Sequence, residues 1–251
     1  MKHIIRKYIT GIVFFLASLS LVCCKKESMF DLFKSTGKII KEQREADYFD
    51  KIQLEDNINL IITQDTINKI VVQAGKNLLE LIKTDVKDNC LNIHNDNKCN
   101  WVRSFDKEIN VYVSLKNLQN IYYSGSGKIS TTNTIITDYL EINIKSGSNV
   151  VDLSIDANIS WFNIHTGPGD IKIRGNSGVN YLYSAGSGIA DCRDLITGYT
   201  FITNKGTNSC YINVTKELEA KIKYLGDIYY TGNPYSITED ITGQGKLIEI
   251  N

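Results

Sequence analysis

The sequence predicts an all-β protein built as a β-solenoid, in which the chain winds through stacked coils of about 20 residues. Apolar and polar residues alternate with period two from Phe49 onward, which is typical of half-buried strands. A glycine-rich element returns about every 20 residues after residue 120, and helical spacing of apolar residues is almost absent beyond the first third of the chain. A repeat of this length is too short for a strand-helix-strand unit, which needs about 30 residues or more. Stacked coils of β-structure fit it better.

The N-terminal part of the repeat region is less regular. The stretches "FDKIQLEDNINLIITQ", "NKIVVQAG", "CLNIHND" and "EINVYVSL" alternate as strands do. The stretch "KNLLELIKTDV", at 76–86, carries the one short helical signal. We therefore expect N-terminal strands and one short helix ahead of the clearest repeats, which occupy 120–251.

The stretch "YYSGSGKIS", at 122–130, is interpreted as the first corner of the solenoid. A phosphate-binding loop would need glycine where Tyr122 stands and Ser or Thr where Ile129 follows the lysine. Two residues past the first glycine of each repeat stands Gly or Asn, the residues that adopt positive φ most readily. We expect these positions to be structural corners with a left-handed backbone: Gly127, Asn149, Gly169, Gly188, Asn208, Gly226 and Gly245.

Equivalent positions in successive repeats, here called columns, also alternate in polarity beside the corners. After each corner, two mostly apolar columns are separated by a mostly polar one. Before the corners, the alternation of Ile142 with Ile144 returns as Tyr181 with Tyr183 and as Phe201 with Thr203. The alternative architecture is an antiparallel sandwich, which does not require a Gly or Asn column at constant spacing.

The N-terminus has the features of a bacterial lipoprotein signal. Basic residues precede the apolar run "ITGIVFFLASLSLV", which is shorter than the roughly 20 residues of a membrane span. Leu21 stands three residues before Cys24, as in a lipobox, so Cys24 is the predicted lipidation site and Cys23 the alternative. We expect a signal peptide at 1–23, a tether at 24–46 and a single solenoid domain at 47–251, held to the membrane by its lipid.

The charge of the chain is balanced. Lys and Arg number 28, and Asp and Glu also number 28. Because nucleic-acid binding proteins carry a basic excess, no nucleic-acid partner is expected. The sequence suggests no cofactor either.

Residues that could carry catalysis or bind metal are dispersed. His94 and His165 stand apart, and no group of three or four ligands at short spacing predicts a zinc site. Glycoside hydrolysis needs two carboxylates about 5–10 Å apart. The candidate pairs, Asp152 with Asp191 and Asp170 with Asp227, are separated by intervening repeats, so neither catalytic nor metal-binding residues are predicted.

Tyrosines suggest a binding face instead. Tyrosine gives a large contact area with a polar tip, and it is also a good strand residue, so a structural role stays open. The candidates are Tyr122, Tyr123, Tyr211, Tyr229 and Tyr235.

Cysteines of the mature chain invite a disulfide interpretation, because envelope proteins mature in an oxidising space. Cys192 and Cys210 fall in adjacent coils but in different columns, roughly 8 Å apart from the strand and coil spacings, so we expect buried free thiols. Cys90 and Cys99 bracket a segment that could fold back as strand and turn, and their disulfide is left open.

The motifs together resemble the DUF2807 family of Bacteroidetes, described as putative auto-transporter adhesins with a head GIN domain. The resemblance rests on the lipobox signal, "YFDKIQLEDNINLIITQ", "NLLELIKTDVKDNCLNIHN", "NIYYSGSGKIS" and the closing "LGDIYYTGNP" and "GQGKLIEIN", and it covers roughly residues 47–251. It implies a right-handed parallel β-helix on a secreted or lipid-anchored protein, and it brings no catalytic residues.

The resulting expectation is a non-catalytic adhesin or surface binding module, with an unknown glycan or protein ligand. It would be an outer-membrane lipoprotein of the cell envelope, facing the periplasm or the surface. The alternatives are a carbohydrate-active β-helix enzyme and a structural envelope component that associates with itself.

Overall fold

The computed structural model describes residues 36–97 and 108–250. It confirms the all-β solenoid, with about six turns of roughly 20 residues. Within the described ranges, no helix is long and apolar enough to cross a membrane. The strands are β1 (Ile39–Arg44), β2 (Lys51–Leu54), β3 (Asn59–Gln64), β4 (Lys69–Gly75), β5 (Ile82–Lys87), β6 (Cys90–Asn95), β7 (Asn110–Leu115), β8 (Asn120–Tyr123), β9 (Ile129–Thr131), β10 (Ile135–Ile144), β11 (Val151–Ile164), β12 (Ile171–Ser184), β13 (Ala190–Asn204), β14 (Cys210–Ile222), β15 (Ile228–Thr231), β16 (Ser236–Ile241) and β17 (Leu247–Glu249).

The long strands β11 to β14 each contribute to two faces of the solenoid. They pair in parallel along their length. Side chains alternate between the core and the solvent, and near the middle of each strand this alternation is interrupted by one extra residue. In β11, for example, Ala157 and Ser160 are both buried although they are three residues apart. The front face comprises residues 139–144, 159–164, 179–184, 199–204 and 217–222 together with β2, β6, β8 and β16. The back face comprises the first halves of β11 to β14 together with β3, β7, β9, β15 and β17.

The core lies between the two faces as a continuous apolar column. Ile142, Phe162, Leu182 and Ile202 occupy one register position on the inner side of the front face, and each is at most 2% exposed. Because parallel strands stack in register, one apolar position per repeat is enough to extend this column by one coil. This is why the period of the sequence predicts the architecture.

The seven predicted corner residues all lie in the bends between front and back faces, but their expected left-handed backbone is wrong: none of them has a positive φ. The glycines are required by close stacking of the coils. A Cβ on Gly127 would lie 1.9 Å from the carbonyl oxygen of Ile58, and one on Gly188 would lie 1.9 Å from that of Gly169. Where the column has asparagine, the side chain bonds to the coil beneath, as Asn149 Nδ2 does to Ser126 O at 3.0 Å.

The first coil of the solenoid lies between coils that follow it in sequence. Strands β2 and β3 pair with β6 and β7 on one side and with β8 and β9 on the other. Antiparallel strands β4 and β5 extend this end of the stack, β4 beside β7 and β5 beside β6. The expected short helix is a single 3-10 turn at Leu79–Leu81, after which the chain continues as β5.

The predicted tether is partly wrong, because its residues 39–44 form β1. This strand pairs antiparallel with β4 over its whole length, so the folded unit begins before residue 47. Arg44 fixes the strand: its guanidinium donates to Leu79 O at 2.8 Å and to Ile82 O at 2.5 Å. The stretch 24–35 lies outside the described residues.

The C-terminal end of the front face is formed by β16. Its pairing with β14 places Ile237, Glu239 and Ile241 over the buried Leu218, Ala220 and Ile222. Among the described strands, none pairs with the outer edge of β16. An inward-pointing charge is one way in which proteins protect such edges from strand addition, and Glu239 holds that position.

Cys192 and Cys210 are buried and occupy different register positions, as the repeat alignment predicts. Register pairs Cys192 with Ile212 and Cys210 with Ala190, and both side chains are buried free thiols. Burial raises the pKa of Cys210 to about 12 and that of Cys192 well above its ordinary value. Both therefore behave as small hydrophobic side chains rather than as reactive thiols.

Candidate binding face

Three aromatic side chains form a ladder on the outer side of the front face. Trp161, Tyr181 and Phe201 share one register position in β11, β12 and β13. Their ring centroids are 4.0 and 5.0 Å apart, with interplanar angles of 16° and 15°. Because adjacent strands lie about 4.8 Å apart, flat rings at the same position stack on one another. The rings cover each other's faces and present their edges to solvent, and Trp161 and Phe201 are each 36% exposed.

A shallow groove runs along the solenoid axis beside this aromatic ladder, from β11 to β14. Its opposite wall comprises the residues two positions further along each strand, which point to the same side of the sheet: Asn163, Tyr183, Thr203 and Lys221. Leu182 and Ile202 lie between the walls, and the groove has a volume of about 210 Å³.

The groove offers hydroxyl groups that are free to bond a ligand. Within the described part of the chain, the hydroxyls of Tyr181, Tyr183 and Thr203 form no hydrogen bond. The side-chain amide of Asn163 donates two long hydrogen bonds, one of 3.3 Å to Asn143 Oδ1 and one of 3.5 Å to Glu141 Oε1. Polar groups beside aromatic rings are typical of sites that bind amphipathic ligands.

Charged side chains near the groove have different surroundings, and Lys205 lies over its wall, with Nζ 5.7 Å from the centre of the Tyr183 ring. Lys221 Nζ lies 2.5 Å from Glu219 Oε1, so the last coil of the groove adds no net charge. At the other end, Glu141 accepts hydrogen bonds from Asn120 and Asn143, each at 2.8 Å, and from the Tyr139 hydroxyl at 3.1 Å. Burial and this contact with Glu141 raise the pKa of Tyr139 to about 12, which keeps the phenol a neutral donor.

An apolar margin extends the face on the side away from the groove. Ile159, Val179 and Tyr199 share a register position two residues before the aromatic ladder, and Ile159 is 38% exposed. Lys216 Nζ lies 5.3 Å from the centre of the Tyr199 ring, where the ring quadrupole attracts a cation. Ladder and margin together form one continuous apolar surface across β11 to β13.

The tyrosines singled out from the sequence do not form one face. Tyr123 is buried, and its hydroxyl donates to Gly127 O at 2.7 Å inside a corner. Tyr211 and Tyr229 stack at 4.9 Å on the back face. Tyr122 lies on the front face near the N-terminal coils, whereas Tyr235 is exposed and contacts Glu217 at 3.2 Å.

Sequence reasoning missed the aromatic ladder because the corners differ in length. The connection before β11 runs over 145–150, whereas the one before β13 runs over 185–189. Counting back from the corners therefore aligns Tyr181 with Ile142, although the structure places Ile142 inward in the same column as Leu182 and Tyr181 outward. Counting forward from the start of each strand places Trp161 and Tyr181 at the same offset but misses Phe201, because a register shift near the start of β13 adds one residue.

Both carboxylates of the first candidate acid pair, Asp152 and Asp191, form ion pairs with basic side chains. Asp152 lies between Arg174 and Lys128, the latter at 3.2 Å. Asp191 pairs with Arg193 at 2.7 Å, and the hydrogen bond from that guanidinium holds the pKa of the Asp191 carboxyl below its usual value. Both carboxylates of this pair are therefore engaged by cations of neighbouring positions.

The second acid pair stabilises corners. Asp170 accepts a hydrogen bond from the backbone N–H of Ile189, and Asp227 accepts one from that of Lys246, each at 2.7 Å. His165 contacts Asn143 Oδ1 at 3.1 Å, and His94 lies 3.5 Å from Asp96. Across residues 36–97 and 108–250, no group of three or more His, Cys, Asp or Glu side chains could hold a metal ion.

Two of the predicted modification sites cannot be placed in the fold. Cys24 and Cys99 both lie outside the described residues. Cys90 lies half-buried in β6, where burial raises the pKa of its thiol. Lipidation at Cys24 stays a prediction, whereas the Cys90–Cys99 disulfide stays an open alternative, and Cys90 is a free thiol in this structure.

The fold and the front face define a parallel β-solenoid with an exposed aromatic surface. Residues 48–234 match the DUF2807 family, "Putative auto-transporter adhesin, head GIN domain", and the chain belongs to that family. No curated protein is similar enough to match the chain.

Solved structures with the same fold come from Bacteroides and Parabacteroides species. A putative adhesin of Bacteroides fragilis NCTC 9343 is 24% identical, with a TM-score of 0.79, 85% of this chain covered and 97% of that one. A putative adhesin of Parabacteroides merdae ATCC 43184 is 21% identical, with a TM-score of 0.62 and coverage of 86% and 98%. A putative lipid binding protein of Parabacteroides distasonis ATCC 8503 is 17% identical, with a TM-score of 0.63 and coverage of 86% and 98%. At these identities the similarity shows the fold alone.

Proposed function

We propose that the protein is a non-catalytic binding protein of the cell envelope, anchored by a lipid on Cys24, and that the front face is its ligand-binding surface. The observation that carries the proposal is the exposed aromatic ladder beside a groove with unused hydroxyl groups. Large exposed apolar patches on soluble domains commonly mark interaction sites. The family description, an adhesin, supports the same class of function.

The alternatives have less support. A hydrolase needs two carboxylates that face the substrate, whereas the acids of the candidate pairs are held by Arg174, Arg193 and corner backbone groups. Glu239 opposes self-association through the sheet edge. If the β16 strands of two copies paired antiparallel with residue 239 opposite itself, two Glu239 carboxylates would face each other, and like charges in that position are destabilising.

Anchoring and binding are tested together in cells that produce the full chain. We expect Cys24→Ala to abolish incorporation of labelled palmitate and to release the protein from the membrane, because the thioether-linked lipid is its attachment. Phe201→Thr should retain the label and the membrane fraction but lose binding of the cells to epithelial and matrix-coated surfaces.

Tyr229→Thr is the matched control, since Tyr229 also stacks on a neighbouring ring but lies on the back face. It should leave both labelling and surface binding unchanged. Palmitate labelling that survives in Cys24→Ala and disappears in Cys23→Ala would move the lipid to Cys23. Cell binding that is equal for Phe201→Thr and wild type would refute the front face as the binding surface.

A further inference from the structure

We propose that the groove binds a linear, uncharged glycan that lies along the solenoid axis with about one sugar ring per coil; this inference rests on the proposed function of the front face. Three properties of the groove lead to this ligand class: its direction and period, its hydrogen-bonding groups, and its size.

The direction of the groove follows from the register of the strands. Asn163, Tyr183 and Thr203 repeat along the axis at the strand spacing, about 4.8 Å. A ligand lying in the groove therefore meets equivalent side chains once per coil. A pyranose in an extended chain advances by close to this distance, whereas an extended peptide advances about 3.3 Å per residue and falls out of step within a few residues.

The chemistry of the walls favours a polyhydroxylated ligand. The hydroxyls of Tyr181, Tyr183 and Thr203 can each donate and accept, as sugar hydroxyls can. Both faces of the Tyr181 ring are covered by Trp161 and Phe201, so a sugar cannot lie flat on it. Recognition must therefore use the ring edges and their polar tips. This makes the tyrosine hydroxyl a determinant of affinity.

The charge of the groove favours an uncharged chain. The cation and the anion on its walls, Lys221 and Glu219, pair with each other. At the last coil, a sulfated or phosphorylated ligand would have to displace that pair to gain a counter-charge, and Glu219 would remain beside it; the other cation at the wall, Lys205, lies over the Tyr183 ring. The paired charges at the last coil therefore favour a neutral chain there, and the comparison of sulfated with neutral oligosaccharides described below tests this preference.

The size of the groove favours a chain over a globular partner. Its lining comprises ten residues and its volume is about 210 Å³. A stable protein interface usually uses about 20–30 residues and about 800 Å² on each side. A narrow strip that crosses four strands fits a short stretch of polymer.

Calorimetric titration of the purified chain with uncharged β-linked gluco-, manno- and N-acetylglucosamine oligosaccharides of one to six units tests the inference. For at least one series we expect affinity to rise with length and to level off near four units, because the groove spans β11 to β14. Tyr181→Phe keeps the stacked ring and removes the hydroxyl. It should weaken binding about 3- to 10-fold, the usual effect of one hydrogen bond, while Tyr229→Phe should have no effect.

Other outcomes overturn the inference and separate it from the proposed function. If no uncharged oligosaccharide binds, or Tyr181→Phe binds like wild type, the glycan assignment fails. It also fails if sulfated oligosaccharides of the same length bind more tightly than neutral ones. If Phe201→Thr still abolishes cell binding in any of these cases, the front face remains the binding surface for another ligand. If it does not, the proposed function fails as well.

Discussion

Gly188→Ala is expected to destabilise the solenoid by about 1–3 kcal/mol, the usual cost of overpacking. A Cβ at this position would lie 1.9 Å from the carbonyl oxygen of Gly169 in the neighbouring coil. The atoms in contact belong to backbone, so relief requires two coils to move apart. For a domain of this size, this corresponds to a Tm about 2–12 °C lower by calorimetry.

Gly188→Asn should be as harmful as Gly188→Ala, even though Asn149 and Asn208 occupy the same column. The damage comes from Cβ, which both substitutions add, and φ at Gly188 is not in the left-handed region. Ser187→Ala is the control, because Ser187 is the exposed neighbour in the same bend. Melting of Gly188→Ala at the temperature of Ser187→Ala would contradict the close stacking of the corners.

Arg44→Ala is expected to destabilise the N-terminal end by about 1.5–3 kcal/mol, the range for hydrogen bonds to a charged group. The half-buried guanidinium donates to two carbonyl oxygens, Leu79 O and Ile82 O, and to the Thr84 hydroxyl at 3.1 Å. It thereby joins β1 to the 3-10 turn and to β5. Gln43→Ala, at the exposed neighbouring position of the same strand, should have little effect on thermal unfolding.

Truncation of the chain is a second test of whether β1 is part of the folded domain. A chain that begins at residue 36 retains β1, whereas one that begins at residue 47 loses the whole β1–β4 pairing and exposes the edge of β4. We expect the shorter chain to melt at a clearly lower temperature. Equal melting temperatures would mean that 39–44 act as a tether, as the sequence suggested, and not as part of the domain.

The sequential half of the solenoid could be predicted because its determinants are local and repeated. A Gly or Asn at each bend and apolar residues after it identify the coils from 120 onward, and the structure stacks those coils in register. The reason for the glycines could not be predicted. A Cβ on Gly127 would meet the carbonyl oxygen of Ile58, which is almost 70 residues earlier in the chain. A contact over that distance leaves no local pattern in the sequence.

The N-terminal end and the binding surface depend on non-local arrangements. Sequence order places β2 and β3 before β6 and β7, but the solenoid inserts them between β6–β7 and β8–β9, which no repeat indicates. Trp161, Tyr181 and Phe201 become one surface only when the register between strands is known to the residue. A corner longer or shorter by one residue reverses whether a side chain faces the core or the solvent.

Photo-crosslinking in the native envelope tests the central claim, that the front face binds the ligand, most directly. A photoreactive amino acid at Asn163 stands on the wall of the groove, and one at Lys172 stands exposed on the back face of the neighbouring coil. After contact with the surface to which the cells bind, the chain labelled at 163 should form a ligand adduct detectable by mass spectrometry, and the chain labelled at 172 should not. Adducts formed at 172 and not at 163 would contradict the assignment of the binding surface.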